Sequence, residues 1–313
     1  MTAPSARVTA SVMALVVVIW GLGAPVTKLI TAPPLVAVSM RFWITVPLLW
    51  SLVYVTGRRI SSAQLRSTVL AGILFGANHA LVFASLKHAS VAVVSVLLAL
   101  QPGVVLLVAG PLLGEWATRW HIAWTVVGVG GVAVVILGGN RGVSGDPEGL
   151  ALAVAAMLTF CGYYVINRRV RATTAIEAAQ WMAGATLFAG LTVTPIALAT
   201  SSVEDYRQLA GADWIYLGFM AVVVGVVGHT AMSWAHRFIP AARSSLYLLA
   251  MNVIAVGAAW PIHDEPVTIV QAAGGLVVLG AVAAVTSRPG SVRVRPPVDL
   301  FPEEPEPALH RNL

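Results

Sequence analysis

Two histidines, His79 and His229, stand 150 residues apart, each deep inside a long apolar run. Histidine titrates near neutrality, so such a pair can bind a substrate carboxylate or relay a proton. The same pair also suits two neutral rings hydrogen-bonded between helices. Arg41 lies seven residues into another apolar run. It can hold an anionic group bidentately or carry its charge outward along its stem. Trp20, Phe83, Tyr163, Tyr164 and Tyr247 sit at moderate depth in their runs and are candidate cavity aromatics. Gly21, Gly23 and Pro25 are expected to interrupt the first run, and Gln101 and Pro102 the fourth. Proline lacks an N–H and clashes with the carbonyl four residues back. The carbonyls it frees, together with Gln101, can face a cavity or a ligand. Asn252 is the matching candidate in the ninth run.

The elements that carry these residues follow from composition. Of 313 residues 58% are hydrophobic and only 10% are charged, against about 25% charged in a soluble domain. Mean hydropathy is +0.84. These values exclude a soluble enzyme, a nucleic-acid binder and a disordered chain, and they place the protein in a bilayer. The net charge of +6 comes from basic residues scattered singly or in twos and threes between apolar runs, as in inter-helix loops. The single cysteine, Cys161, rules out an intrachain disulfide and a cysteine metal site. No P-loop, HExxH or GxSxG pattern occurs, so the reading implies no cofactor and no metal.

A helical crossing needs about 20 apolar residues. Ten candidates fit, over 8–30, 34–55, 66–86, 90–112, 120–138, 149–170, 177–200, 212–236, 240–262 and 267–286. Their continuous runs differ from the alternating segments of an outer-membrane barrel. Arg7 before the apolar 12–20 looks like a signal peptide, but the run continues to Ile30, so an uncleaved first span is expected. With the N-terminus in the cytoplasm, fourteen arginines fall inside, and only Lys28, Lys87, Arg141 and Arg207 fall outside. That positive-inside bias predicts a multi-pass protein of the cell membrane with both termini cytoplasmic. Trp50, Trp116, Trp120, Trp214 and Trp260 lie near span ends and read as interfacial anchors. Glu115, Asp264 and Glu265 also sit at span ends. They are expected to cap the next helix or to pair with Arg119 or Arg243. Residues 287–313, with six of the eighteen prolines, read as a disordered cytoplasmic tail.

The sequence also matches itself. Residues 79–135 and 229–285 share 14 of 57 positions without a gap, including the two histidines, Pro111/Pro261, Glu115/Glu265 and Gly130/Gly280. Earlier spans match more weakly at an offset of 141, pairing Gly21 with Gly162 and Lys28 with Arg169. The chain thus reads as two five-span halves, 8–138 and 149–286. Five is odd, so the second half enters from the opposite face. The expected fold is an all-α integral membrane protein of ten transmembrane helices in two inverted five-helix repeats, an arrangement typical of secondary transporters with a midplane site.

Several motifs repeat in one order. They are Trp20-Gly21 with Pro25, Pro34 followed by Arg41-Phe42, the Ala/Ser-rich turn at 84–92, Gln101-Pro102, Glu115, and the glycines of 128–131. In these the chain resembles the drug/metabolite transporter superfamily, in particular its ten-span proteins built from two EamA-type domains. The resemblance covers about 11–286. It implies an exporter or exchanger of small metabolites, often amino acids or drug-like compounds. Asn252 stands where Pro102 would repeat and Met182 where Arg41 would. The second half is therefore expected to lack the first half's broken helix and its cation. His79 and His229 make a proton the candidate coupling ion. The partners expected are a small-molecule substrate, the lipid bilayer and protons, with no nucleic acid. The competing reading is a multi-pass membrane enzyme acting on a lipid with His79 and His229 as bases. It lacks an acid or nucleophile at similar depth.

Overall fold

The computed structural model describes residues 4–85, 87–89, 91–138, 146–264, 266–287 and 293–294. Among them lie eight helices long and apolar enough to cross a membrane, and two shorter apolar ones, Val69–Ser85 and Ile269–Val285. In chain order, spans one to five are Ala6–Thr27, Pro34–Val55, Val69–Ser85, Val93–Leu113 and Arg119–Leu137. Spans six to ten are Pro147–Thr173, Ala178–Thr200, Asp213–Ala235, Ala241–His263 and Ile269–Thr286. In hydrocarbon a lipid-facing backbone must satisfy its own polar groups, and these runs do so as helices. Local signals set the ends. Ser5 accepts the Val8 N–H, Asp146 accepts the Gly149 N–H, and Thr268 with Gln271 forms a capping box.

The loops show the alternation of faces. On one side Arg58 pairs with Glu177 at 3.4 Å, and the Gln180 amide donates to the Arg59 carbonyl at 2.7 Å. The chain after span two therefore meets the chain before span seven, as four intervening crossings require. On the other side the Thr31 N–H and hydroxyl donate to Asp213 at 3.0 and 2.8 Å, and Thr268 donates to the Gly138 carbonyl. Helix packing follows the two-fold exchange of halves. Span two lies on span seven and span five on span ten. Span three packs on span six, as span eight packs on span one.

Close approach of spans three and seven depends on glycine. A Cβ at Gly72 would come within 2.6 Å of the Ala185 carbonyl, and one at Gly76 within 2.7 Å of the Ala189 carbonyl. The Gly72/Gly76 pair is thus a small-residue packing face.

Three expectations change here. Span one is one continuous helix from Ala6 to Thr27. Pro25 falls in its last turn, and the Thr27 hydroxyl and the Lys28 N–H cover the Gly23 and Ala24 carbonyls. Gly21 serves contact instead, since a Cβ there would meet Ile254 Cβ at 2.6 Å and the Met251 carbonyl at 2.9 Å. Span four breaks as expected, between Val91–Leu98 and Gln101–Leu113. Span nine breaks too, between Ala241–Tyr247 and Ala250–His263, although it has no proline there. Tightened bonds from Leu249 to Leu246 and from Met251 to Leu248 make the turn, and the Asn252 amide donates to the Leu249 carbonyl. Finally, Arg293–Val294 pairs antiparallel with Glu115–Trp116, so disorder does not hold at those two tail residues. The remainder of the tail from Arg288, like Arg141 and Glu265, lies outside the described residues.

Candidate functional site

Five of the candidate residues converge on one ring. Phe75 of span three stands between the histidines, with its centroid 4.8 Å from His79 and 4.8 Å from His229. Tyr163 stacks on Phe75 at 4.6 Å, and the Trp20 indole lies 4.7 Å from His229. Arg41 is buried and reaches His79 Nε2 with one guanidinium nitrogen at 3.5 Å. His79 Nδ1 donates to the Phe75 carbonyl at 2.9 Å. A carbonyl only accepts, so Nδ1 carries the hydrogen and the Nε2 lone pair faces Arg41. The histidines are thus not hydrogen-bonded to each other. Both meet the Phe75 ring in T-shaped contacts.

His229 follows directly on a π-helical stretch, Met220–Gly228. Such stretches widen the turn and re-aim the following side chains. Gly225 in that stretch lies against Thr45, whose hydroxyl donates to the Arg41 carbonyl at 2.8 Å. Arg41, Phe42, Thr45, Phe75, Thr186 and His229 line a narrow cleft that is too tight for a water molecule in this conformation. Arg41 also forms the floor of a larger pocket, with a cavity of about 60 Å³, that reaches the face carrying Thr27, Ile30 and Pro34, with Phe83 on its wall. Arg41 therefore stands between an opening and the histidine pocket. Its Nε, the indole N–H of Trp20 and Nδ1 of His229 have no hydrogen-bond partner. An unsatisfied buried polar group costs about 1–3 kcal/mol. A ligand with acceptor oxygens would remove part of that cost.

The other candidates lie elsewhere. The Tyr164 hydroxyl donates to Ser244 at 2.7 Å, at the start of span nine. Gln101 sits at the break of span four with its amide nitrogen unpartnered, and its backbone carbonyl accepts from Cys161. Asn252 is used by its own helix break, and Tyr247 is buried in the core shared with Tyr164. Met182, opposite Arg41 in the repeat, accepts from the Tyr163 hydroxyl at 3.5 Å, so the second half has no cation here. Sequence reasoning missed Phe75, four residues before His79, and Thr45, four residues after Arg41. The four-residue spacing placed both on the site's face, and no chemical signal marked them.

Glu115 closes the opposite side. Its carboxylate accepts from Arg168 Nε at 2.7 Å and from the Ala241 N–H at 2.6 Å. Arg168 also donates to the His236 carbonyl. The partner is thus Arg168, a full span away, and neither Arg119 nor Arg243 as expected. The carboxylate caps the helix that begins at Ala241, and not the next helix, at Arg119, as expected.

A pocket open to one face and latched at the other, between two like halves, is the geometry of a transporter. The model of the EamA-like transporter family matches twice, over residues 8–137 and 147–287. The chain belongs to the EamA-like transporter family. It is a multi-pass membrane protein, and membership implies a small-molecule substrate. It is similar to an uncharacterized transporter of Archaeoglobus fulgidus, 26% identical over 297 residues, covering 88% of this chain and 98% of the relative. A solved crystal structure matches with a TM-score of 0.76 at 19% identity, covering 90% of this chain and 98% of the other. At that identity it shows a shared fold and nothing more.

Proposed function

We propose that this transporter exports small amphipathic metabolites, amino acids or drug-like compounds, across the cell membrane by alternating access, with both termini in the cytoplasm. The observation that carries the reading is the buried Arg41 at the floor of the open pocket, with unpartnered donors on Arg41, Trp20 and His229 beside it. In this conformation the cleft beside Phe42 and Phe75 is closed; on this reading it widens as the halves move and takes the apolar body of an amphipathic solute, whose acceptor oxygens turn toward Arg41. The cytoplasmic face is assigned by the arginine bias, and it is the latched face. Substrate loaded from the cytoplasm then leaves through the open pocket.

Proton coupling belongs to the same reading, and His229 is its carrier. Both ring nitrogens of His79 are engaged, by Phe75 and Arg41, whereas Nδ1 of His229 is unpartnered. A lipid-modifying enzyme is disfavoured, because among the described residues no carboxylate lines the cleft with His229, and the Thr45 hydroxyl there already donates to the Arg41 carbonyl.

The test has two stages. Growth of an overexpressing strain on toxic amino acids, amines and antibiotics finds the compounds it protects against. Flux of those compounds from proteoliposomes then checks transport directly. Protection without flux, or flux unaltered by Arg41→Gln, would overturn the reading.

A further inference from the structure

On the inner side of span six, Tyr164, Asn167, Arg168 and Arg171 share one helical face at spacings of three and four residues. They face Ser233 and His236 of span eight. Arg171 Nε donates to the Ser233 carbonyl at 3.0 Å, and the Ser233 hydroxyl donates to Asn167 Oδ1 at 3.2 Å. Arg171 and Asn167 are each 1% exposed and His236 is fully buried. Yet Arg171 Nη1, the Asn167 amide nitrogen and both ring nitrogens of His236 have no hydrogen-bond partner. The nearby carboxylates are already engaged. Glu115 serves Arg168 and Ala241, and Glu177 serves Arg58. The cluster is therefore positive, and the donors on Arg171 Nη1 and the Asn167 amide have no acceptor.

The internal repeat says what this cluster is for. At the offsets of 141 and 150, Arg168 corresponds to Thr27, Arg171 to Ile30 and Ser233 to Phe83. Thr27, Ile30 and Phe83 line the pocket that is open at the outer face. Exchanging the conformations of the halves closes that pocket and opens its counterpart, walled by Arg168, Arg171 and Ser233. The outer mouth is mostly apolar, whereas the inner one is cationic.

We propose that Asn167, Arg171 and His236 form an anion-binding subsite at the inner mouth that takes the carboxylate of a monocarboxylate substrate as it loads from the cytoplasm. A guanidinium matches a carboxylate in plane and can bond it with two N–H groups. The amide and imidazole supply further N–H donors. The inference rests on the alternating-access reading above, and its test reads binding, not flux.

The probe is sodium benzoate, with neutral benzamide as control, on the purified full-length protein in detergent. Intrinsic tryptophan fluorescence follows thermal unfolding. The native chain, and the Glu115→Gln variant in which the latch is cut, are expected to show a saturable rise in Tm with benzoate and none with benzamide. Arg171→Gln should weaken benzoate at least tenfold, Arg171→Lys should retain part of the affinity, and Arg66→Gln, at an exposed inner-face arginine, should bind as the native chain does. If Arg171→Gln does not fold, Asn167→Asp gives Arg171 an internal carboxylate and should fold but ignore benzoate. Absence of a saturable shift in both the native and latch-cut proteins overturns the subsite. So does native affinity in Arg171→Gln or Asn167→Asp. Benzoate binding with this dependence in a protein that moves no panel compound keeps the subsite and removes the transport reading. Flux without benzoate binding does the reverse.

Discussion

Glu115 and Arg168 join the two halves of the protein by a 2.7 Å ion pair at the face opposite the open pocket, with side chains 4% and 12% exposed. Removing one partner of a buried pair leaves an uncompensated charge, which costs on the order of 3 kcal/mol. Glu115→Gln should therefore lower the thermal midpoint and loosen the inner mouth. In a Cys161→Ala background carrying Ser244→Cys, a charged thiol reagent added to inside-out vesicles should label at least ten times faster once Glu115 is neutral. An unchanged rate would mean that the pair does not hold the mouth shut.

The histidines should differ in their effect on transport. His229→Gln is expected to remove the pH dependence of proteoliposome flux. His79→Gln is expected to lower flux while keeping its pH profile, because His79 positions Arg41. A flat profile in His79→Gln with a native one in His229→Gln would reverse the assignment.

Asp146 gives a pH signature of stability. It caps span six by accepting the Gly149 N–H at 2.8 Å. That bond, with His88 at 3.3 Å adding to it, holds the carboxyl below its ordinary value against a smaller opposing effect of desolvation. The sign follows from linkage. The folded value is depressed, so the cap's contribution is complete above the unfolded value of about 3.9. It is lost as pH falls through the folded value. Asp146→Asn should melt earlier than the native chain at pH 7, and the two should converge in acid. A gap that stays constant down to pH 2 would show that the carboxylate's charge contributes nothing.

Two glycines should respond in opposite ways to alanine. At Gly72 the new methyl meets the Ala185 backbone and Phe188 Cβ at 2.6 and 2.4 Å. Overpacking of this kind costs about 1–3 kcal/mol. At Gly103 nothing lies within 4 Å, so Gly103→Ala should be neutral or gain up to about 1 kcal/mol of helix propensity. Thermal unfolding of both variants in one detergent decides the matter.

The ten crossings were legible in the sequence because lipid leaves an apolar run of this length only one way to satisfy its backbone. The break in span four was legible through Pro102. Its counterpart in span nine was not, because i→i−3 bonds and the Asn252 amide make that turn without a proline. In the site, His79, His229 and Arg41 stood out as polar groups in apolar surroundings. Phe75 did not, since one more phenylalanine in such a run looks like any lipid-facing residue. Arg171 read as a loop cation from its place at the end of span six. Its burial depends on the Ser233 carbonyl, from a segment 62 residues away. The interruption expected at Gly21–Pro25 is absent: Pro25 costs the helix one bond, to the Gly21 carbonyl, and the turn is held by the Thr27 hydroxyl on Gly23 and the Lys28 N–H on Ala24.

Where one half of the fold places Arg41, the other places Met182, fully buried and held by the Tyr163 hydroxyl. Under the alternating access proposed above, rocking the halves past each other does not return an equivalent molecule. A guanidinium is traded for a thioether, and the two resting poses of the empty carrier differ in standing electrostatic energy. Each 1.4 kcal/mol of that difference is a tenfold bias in occupancy. On that proposal the unloaded protein has a preferred side on which to wait, set by its residues before any cargo arrives. A single exchange at position 41 or 182 would reset that idle posture without altering the architecture.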